Sequence, residues 1–183
     1  SMIEAEARMT NVVAAADALV VTLDLDAIAQ YFGVQHDSES PTVKKEMKKM
    51  EEQRNALRLA LLRKAAALAD LVSAAEASEE TKSSMMKAVE ELRRWVPNPD
   101  AVNEEERDLF SLTLSRYEAC RNRIGAALEV LRKRLALKVS DSAKRKQLLL
   151  ESCKLYRRLG WDHWALNTEE LMQKDFPAVL PPL

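Results

Sequence analysis

A chain of 183 residues can bury roughly 70% of its unfolded surface as one domain, and 47% hydrophobic with 31% charged residues is a globular balance. Three glycines and six prolines leave almost nothing for tight hairpins or glycine-rich ligand loops, while plentiful Ala, Leu, Glu, Lys and Arg favour helix. A net charge of −1 argues against a polyanion binder acting through overall charge, and no apolar run of about 18 residues is present to cross a membrane.

Glu4, Glu6 and Arg8 interrupt any apolar signal core, and Ser1-Met2 reads as a cloning remnant ahead of an excised piece. Residues 2–22 read as a first helix, with Met9, Val12, Val13, Ala16, Leu19, Val20 and Leu23 recurring at three and four. Asp24 or Asp26 suits the N-cap of a short second helix to Phe32, with Gly33 just past its end. Residues 34–40 form a polar loop. Ser40 and Pro41 open the longest helix, over about 42–77, roughly 50 Å at 1.5 Å per residue. Its front half is amphipathic through Val43, Met47, Met50, Leu57 and Leu61. From 56 to 72 apolar residues surround the axis, which places that stretch at the centre of the core.

A polar break at 78–80 precedes a fourth helix to Trp95, and Pro97-Asn98-Pro99-Asp100 is the clearest stop. Asn103 with Glu106 three residues on is a capping-box-like start for a fifth segment. There Phe110, Leu114, Tyr117, Cys120, Ile124, Leu128, Leu131 and Leu135 recur at three and four. The segment is either one helix or two broken between Arg121 and Gly125, and Gly125 fits a turn and a close-packing residue equally. Ser140-Asp141 caps a helix over 142–159 whose buried face holds Leu149, Cys153, Tyr156 and Gly160. Gly160 lies just past its end, Asp162 caps a last helix to about Lys174, and Pro177, Pro181 and Pro182 read as an extended tail. The expected fold is all-α, an antiparallel helical bundle of about seven or eight helices without sheet, in one domain over 1–183.

Catalytic chemistry finds little support. No Gly-x-Ser-x-Gly elbow or phosphate-binding glycine pattern occurs. His36 sits in the polar loop, and His163 reads as a helix-end residue packing on Trp161 or Trp164. Glu104, Glu105, Glu106 and Asp108 face different sides of a helix and read as acids at its N-terminus, not as metal ligands. Cys120 and Cys153 lack CxxC spacing and read as small buried hydrophobes in a reducing, cytosolic compartment. Neither a catalytic residue, a cofactor site nor a metal site is expected.

Two features remain. Between Arg121 and Arg158 stand twelve Lys or Arg against Glu129, Asp141 and Glu151, whereas the first 41 residues hold one Arg against seven acids. The basic stretch reads as a solvated face, or as a face for an acidic partner centred on Arg132, Arg134, Lys144, Arg145 and Lys146. Nucleic acid is disfavoured because no aromatics interleave those cations. Trp161 and Trp164 either pack the last two helices onto the domain or anchor a neighbour.

Four segments together resemble the C-terminal region of the tripeptidyl-peptidase II family. They are Asn11-Val12-Val13-Ala14-Ala15-Ala16-Asp17-Ala18 leading to Asp26-Ala27-Ile28-Ala29; Arg63-Lys64-Ala65-Ala66-Ala67-Leu68-Ala69-Asp70; Trp95 before an acidic helix start; and Leu159-Gly160-Trp161-Asp162-His163 before Pro181-Pro182. Ala65-Ala66 departs from the family's Gly-Cys pair, and the segment before Trp95 is shorter. The resemblance implies a long-helix half over 3–96 and a TPR-like half over 97–183, with a helix break near Gly125. It implies a parent with a subtilisin-like domain that releases tripeptides from peptide N-termini in the cytoplasm. It further implies that this piece packs against its own catalytic and central domains in a giant homo-oligomer. No membrane or nucleic acid partner is implied. The alternative is a stand-alone helical adaptor that takes a peptide or an acidic partner in a TPR-like groove.

Overall fold

The computed structural model describes residues 2–37, 39–74, 76–137 and 141–175; the expected Ser140 cap and proline tail lie outside them. Among the described residues there are eight α-helices, one 3₁₀ turn and no strand. The chain forms two compact units, residues 1–102 and 103–183.

The first unit is built on α3 (Pro41–Ala74), against which α1 (Met2–Val21), α2 (Leu25–Phe32) and α4 (Glu79–Trp95) all pack. Asp24 caps α2 by accepting from the Ala27 N–H at 3.0 Å, and Ser78 caps α4 by accepting from Thr81 N–H at 3.1 Å. Gly33 is itself the C-cap of α2 and stays right-handed at φ −80°, so no glycine-specific conformation is needed there. On α3, Leu57, Ala60, Leu61 and Leu62 are buried, and so is every residue from Ala65 to Ala69. Five consecutive buried positions require cover on all sides of the axis, and four alanines among them let neighbouring helices approach closely. Met85, Ala88, Val89 and Leu92 of α4 and Ala16 of α1 are buried as well. Each fully buried leucine contributes about 1.5–3 kcal/mol. The proline stop becomes a 3₁₀ turn over Pro99–Ala101, opened by the Asn98 side chain accepting from Asp100 N–H at 3.0 Å. Arg58, on α3, donates to the carbonyls of Trp95 at 2.7 Å and Ala101 at 3.0 Å, fastening both ends of that stop.

The second unit is two helical hairpins, α5 (Glu104–Cys120) with α6 (Ile124–Ala136) and α7 (Ser142–Arg158) with α8 (Asp162–Asp175). The fifth segment is therefore two helices, and the residue that breaks it is Asn122, not Gly125. Asn122 takes φ 59°, its N–H bonds Ala119 O at 3.0 Å, and the Arg123 N–H reaches back to Glu118 O at 2.9 Å. This is the left-handed helix ending that asparagine tolerates better than most residues. Gly125 lies inside α6, with nothing within 4 Å of the place its Cβ would occupy. Gly160 closes α7 in the same manner: φ is 75°, its N–H bonds Arg157 O at 3.0 Å, and Trp161 N–H bonds Tyr156 O at 2.9 Å. Asn103 holds the N-cap position of α5, but its side chain makes no capping bond, so the capping box is not formed. Asp141 does cap α7, accepting from Ala143 and Lys144 N–H at 2.9 and 3.3 Å.

The hairpins match at a fixed shift of 38 residues. Asn103 and Asp141 are N-caps, Arg121 and Leu159 are C-caps, and Asn122 and Gly160 are the left-handed residues. Ser115 Oγ donates to Ala127 O at 3.0 Å, and Cys153 Sγ stands in the same relation to Ala165 O at 3.7 Å. Ala127 and Ala165 are both buried, as close helix crossing requires. Leu112, Ala119, Ile124, Ala127 and Leu131 form a core with Leu148 and Leu155 of α7. Leu149, Cys153 and Met172 form a second one between α7 and α8.

Candidate functional site

The α7–α8 turn brings three aromatic rings together. Tyr156 projects from the last turn of α7, and the chain reversal at Gly160 returns Trp161 and Trp164 beside it. The Tyr156 ring lies 6.5 Å from Trp161 and 6.1 Å from Trp164, with interplanar angles of 18° and 28°. The indoles are 51% and 56% exposed, so they do not pack the last two helices as core residues do. Burial between those helices falls to Cys153, Ala165 and Met172 instead. Gly160 is exposed, and it is absent from the buried face expected of it. Asp162 is the first residue of α8 and favours that helix end by its charge, not as its N-cap. His163 is exposed, with Nε2 3.5 Å from the Asn167 side-chain nitrogen on the next turn, and it makes no ring contact among those described.

Not every cation of the basic stretch is exposed. Arg134 is buried, and its Nε lies 2.5 Å from Asp108 Oδ1, which ties the end of α6 to the start of α5. It therefore leaves the proposed exposed face; its partner lies 26 residues away, beyond the reach of local charge counting. Arg132 is exposed; Lys144, Arg145 and Lys146 are half-buried. The Lys144 ammonium donates to Glu105 O at 2.9 Å. An open cleft of about 440 Å³ is lined by Glu104, Glu105, Asp108, Arg134, Asp141 and Lys144, with more acids than bases. Arg121 and Arg123 pair with buried Glu118 at 3.7 and 3.4 Å, Arg157 pairs with Glu169, and Arg116 holds Glu151 of α7 at 3.4 Å. Arg121, Arg123, Arg134, Lys154 and Arg157 of the basic stretch are thus engaged in ion pairs inside the unit.

The nucleophile candidates have structural surroundings. Burial pushes the Cys153 thiol above its ordinary range, against a smaller opposing effect of Arg157, and both cysteines are free. His36 stacks on Tyr31 at 4.0 Å, and its Nε2 lies 2.7 Å from Tyr31 O, which anchors the chain after α2. Among the described residues, no group of three His, Cys, Asp or Glu is placed to hold a metal ion. No helix among them is long and apolar enough to cross a membrane.

No family model matches the chain, and no solved structure matches it. Curated relatives do. Tripeptidyl-peptidase 2 of Oryza sativa subsp. japonica is 33% identical over 177 residues, which is 94% of this chain and 12% of that protein. Tripeptidyl-peptidase 2 of Arabidopsis thaliana is 30% identical over 178 residues, 93% of this chain and 12% of that protein. The chain spans about one-eighth of the length of either relative.

Proposed function

We propose, on the premise that this chain belongs to the tripeptidyl-peptidase 2 family over nearly its whole length, that it is the C-terminal helical segment of such a peptidase and acts there without catalysis. Its role is to pack against the other domains of its own chain and to support assembly of subunits in the cytoplasm. The parent would release tripeptides from peptide N-termini using residues outside this segment. The observation that carries the reading is the pairing of near-complete coverage of this chain with 12% coverage of its relatives. The helical hairpins and the half-exposed Trp161 and Trp164 agree with a packing role, since exposed aromatic corners commonly anchor interfaces.

The test uses the parent protein with Trp161→Ala and Trp164→Ala together. The expected result is a lower native mass by light scattering, with hydrolysis of a fluorogenic tripeptide substrate still measurable in the smaller species. An unchanged mass would remove the corner from assembly. A parent transcript too short to hold a peptidase domain would instead favour a stand-alone helical adaptor, a reading that the two matched hairpins also suit.

A further inference from the structure

The 38-residue match allows the two hairpins to be compared face by face, and the faces differ in one systematic way. In the first hairpin, Leu148 and Leu155 of α7 sit on a surface made by Leu112, Ala119, Ile124, Ala127, Leu128, Leu131 and Leu135. Their counterparts in the second hairpin are Leu150, Arg157, Asp162, Ala165, Leu166, Glu169 and Gln173. Four of seven apolar positions have become charged or amide, and Ala165 is buried in the α7–α8 crossing. The buried apolar pair Ala119 and Leu131 is replaced by the ion pair Arg157–Glu169. Arg116, which holds Glu151 of α7, has Lys154 as its counterpart, exposed to 66%. Leu150 and Leu166 stay apolar and are 42% and 55% exposed.

A stack of helical repeats must end on a unit whose outer face tolerates water, because each inner unit buries its apolar face on the next. We propose that α7–α8 is the capping unit of a helical-hairpin array, and that its outward face is built to meet water in the assembled protein too. Partners of residues 103–175 then meet another surface. This face is distinct from the Trp161 and Trp164 corner: the counterparts of those tryptophans, Arg123 and Ala126, are not among the residues of the α7 seat. The proposal goes beyond the family reading and does not depend on it.

Two measurements test it. The first restores the inner-unit residues with Asp162→Ile, Glu169→Leu and Gln173→Leu in one chain. The expected outcome is self-association, read as at least a doubling of mass by light scattering at concentrations where the unchanged chain keeps a lower mass. A folded triple variant with unchanged mass would overturn the proposal. The second needs no disruption of the fold. Leu166→Cys and Gln173→Cys are introduced singly and alkylated at low and high concentration and in the assembled parent, with Cys153, only 2% exposed, as the protected reference. Each new thiol is expected to react more than about tenfold faster than Cys153 under all conditions, since a buried thiol reacts only through opening. Protection of either thiol on assembly would show a partner seated on the face and refute the cap, whatever the triple variant does.

Discussion

Replacing Arg134 by methionine should destabilise the second unit by about 3–5 kcal/mol, the cost of leaving a buried charge without its partner. The Arg134 and Asp108 side chains are each 9% exposed, and their contact spans the open end of the α5–α6 hairpin at 2.5 Å. Methionine keeps most of the arginine stem's packing, so the loss measures the orphaned Asp108 carboxylate and not a cavity. In a unit of this size about 3 kcal/mol corresponds to a fall in Tm of roughly 12 °C or more. Chemical denaturation followed by circular dichroism and by tryptophan fluorescence reads the loss. Asp108→Leu added to Arg134→Met should recover much of it, because a well-packed apolar pair can match a buried ion pair. A loss below about 1 kcal/mol for Arg134→Met alone is the value of a solvated pair and would refute this account.

Two glycines, one inside a helix and one ending a helix, give a pair of opposite signs. Gly125→Ala, with open space at Cβ inside α6, should stabilise by about 0.5–1 kcal/mol, whereas Gly160→Ala should destabilise by about 1 kcal/mol or more because its φ is 75°. Thermal melting of both variants decides, and equal signs would contradict the assignment of the turns. Trp161→Ala should keep the helical circular dichroism and cost only about 0.5–1.5 kcal/mol, the range for an aromatic pair on a half-exposed ring; a loss of 3 kcal/mol or more, typical of a core aromatic, would count against it. Burial raises the Cys153 thiol above its ordinary value near 9, so the folded chain keeps a proton that the unfolded chain gives up. That stabilisation is complete below the unfolded value and is lost as pH rises through the folded one. Stability should therefore fall more steeply above pH 9 than in Cys153→Ser, and parallel pH profiles would exclude the effect.

Helix ends marked by residues with a single local job were readable in the sequence: Asp24, with Asp26 as its rival, and Asp141 as caps, and Gly160 as the close of α7. The all-round apolar stretch of α3 announced its own burial in the same way. A break between Arg121 and Gly125 was one of two readings the sequence left open, but its place at Asn122 was missed, because the nearby Gly125 drew the assignment. The 38-residue match with Gly160 picks it out, and that match rests on sparse landmarks, not on repeated sequence. The burial of Arg134 was hidden for a different reason. Charge counting along the chain sees neighbours in sequence, whereas ion pairs between helices form across tens of residues. Of the two readings open for Trp161 and Trp164, core packing does not hold, because a position at a turn leaves half of each ring in water.

The Arg58 clamp bears on the order in which the first unit is completed during synthesis. Its guanidinium is partly desolvated on α3, and burial together with Arg54 disfavours its charge. Its second acceptor, Ala101 O, lies 43 residues later in the chain. At roughly 5–20 residues per second, about 2–9 s pass between translation of the donor and of that acceptor. During that interval α1 to α3 are already translated, but Arg58 lacks its second acceptor. Final closure of the first unit is therefore timed by its last few residues. A ribosome stalled before residue 101 would hold a nascent chain in which the second half of that fastening cannot form.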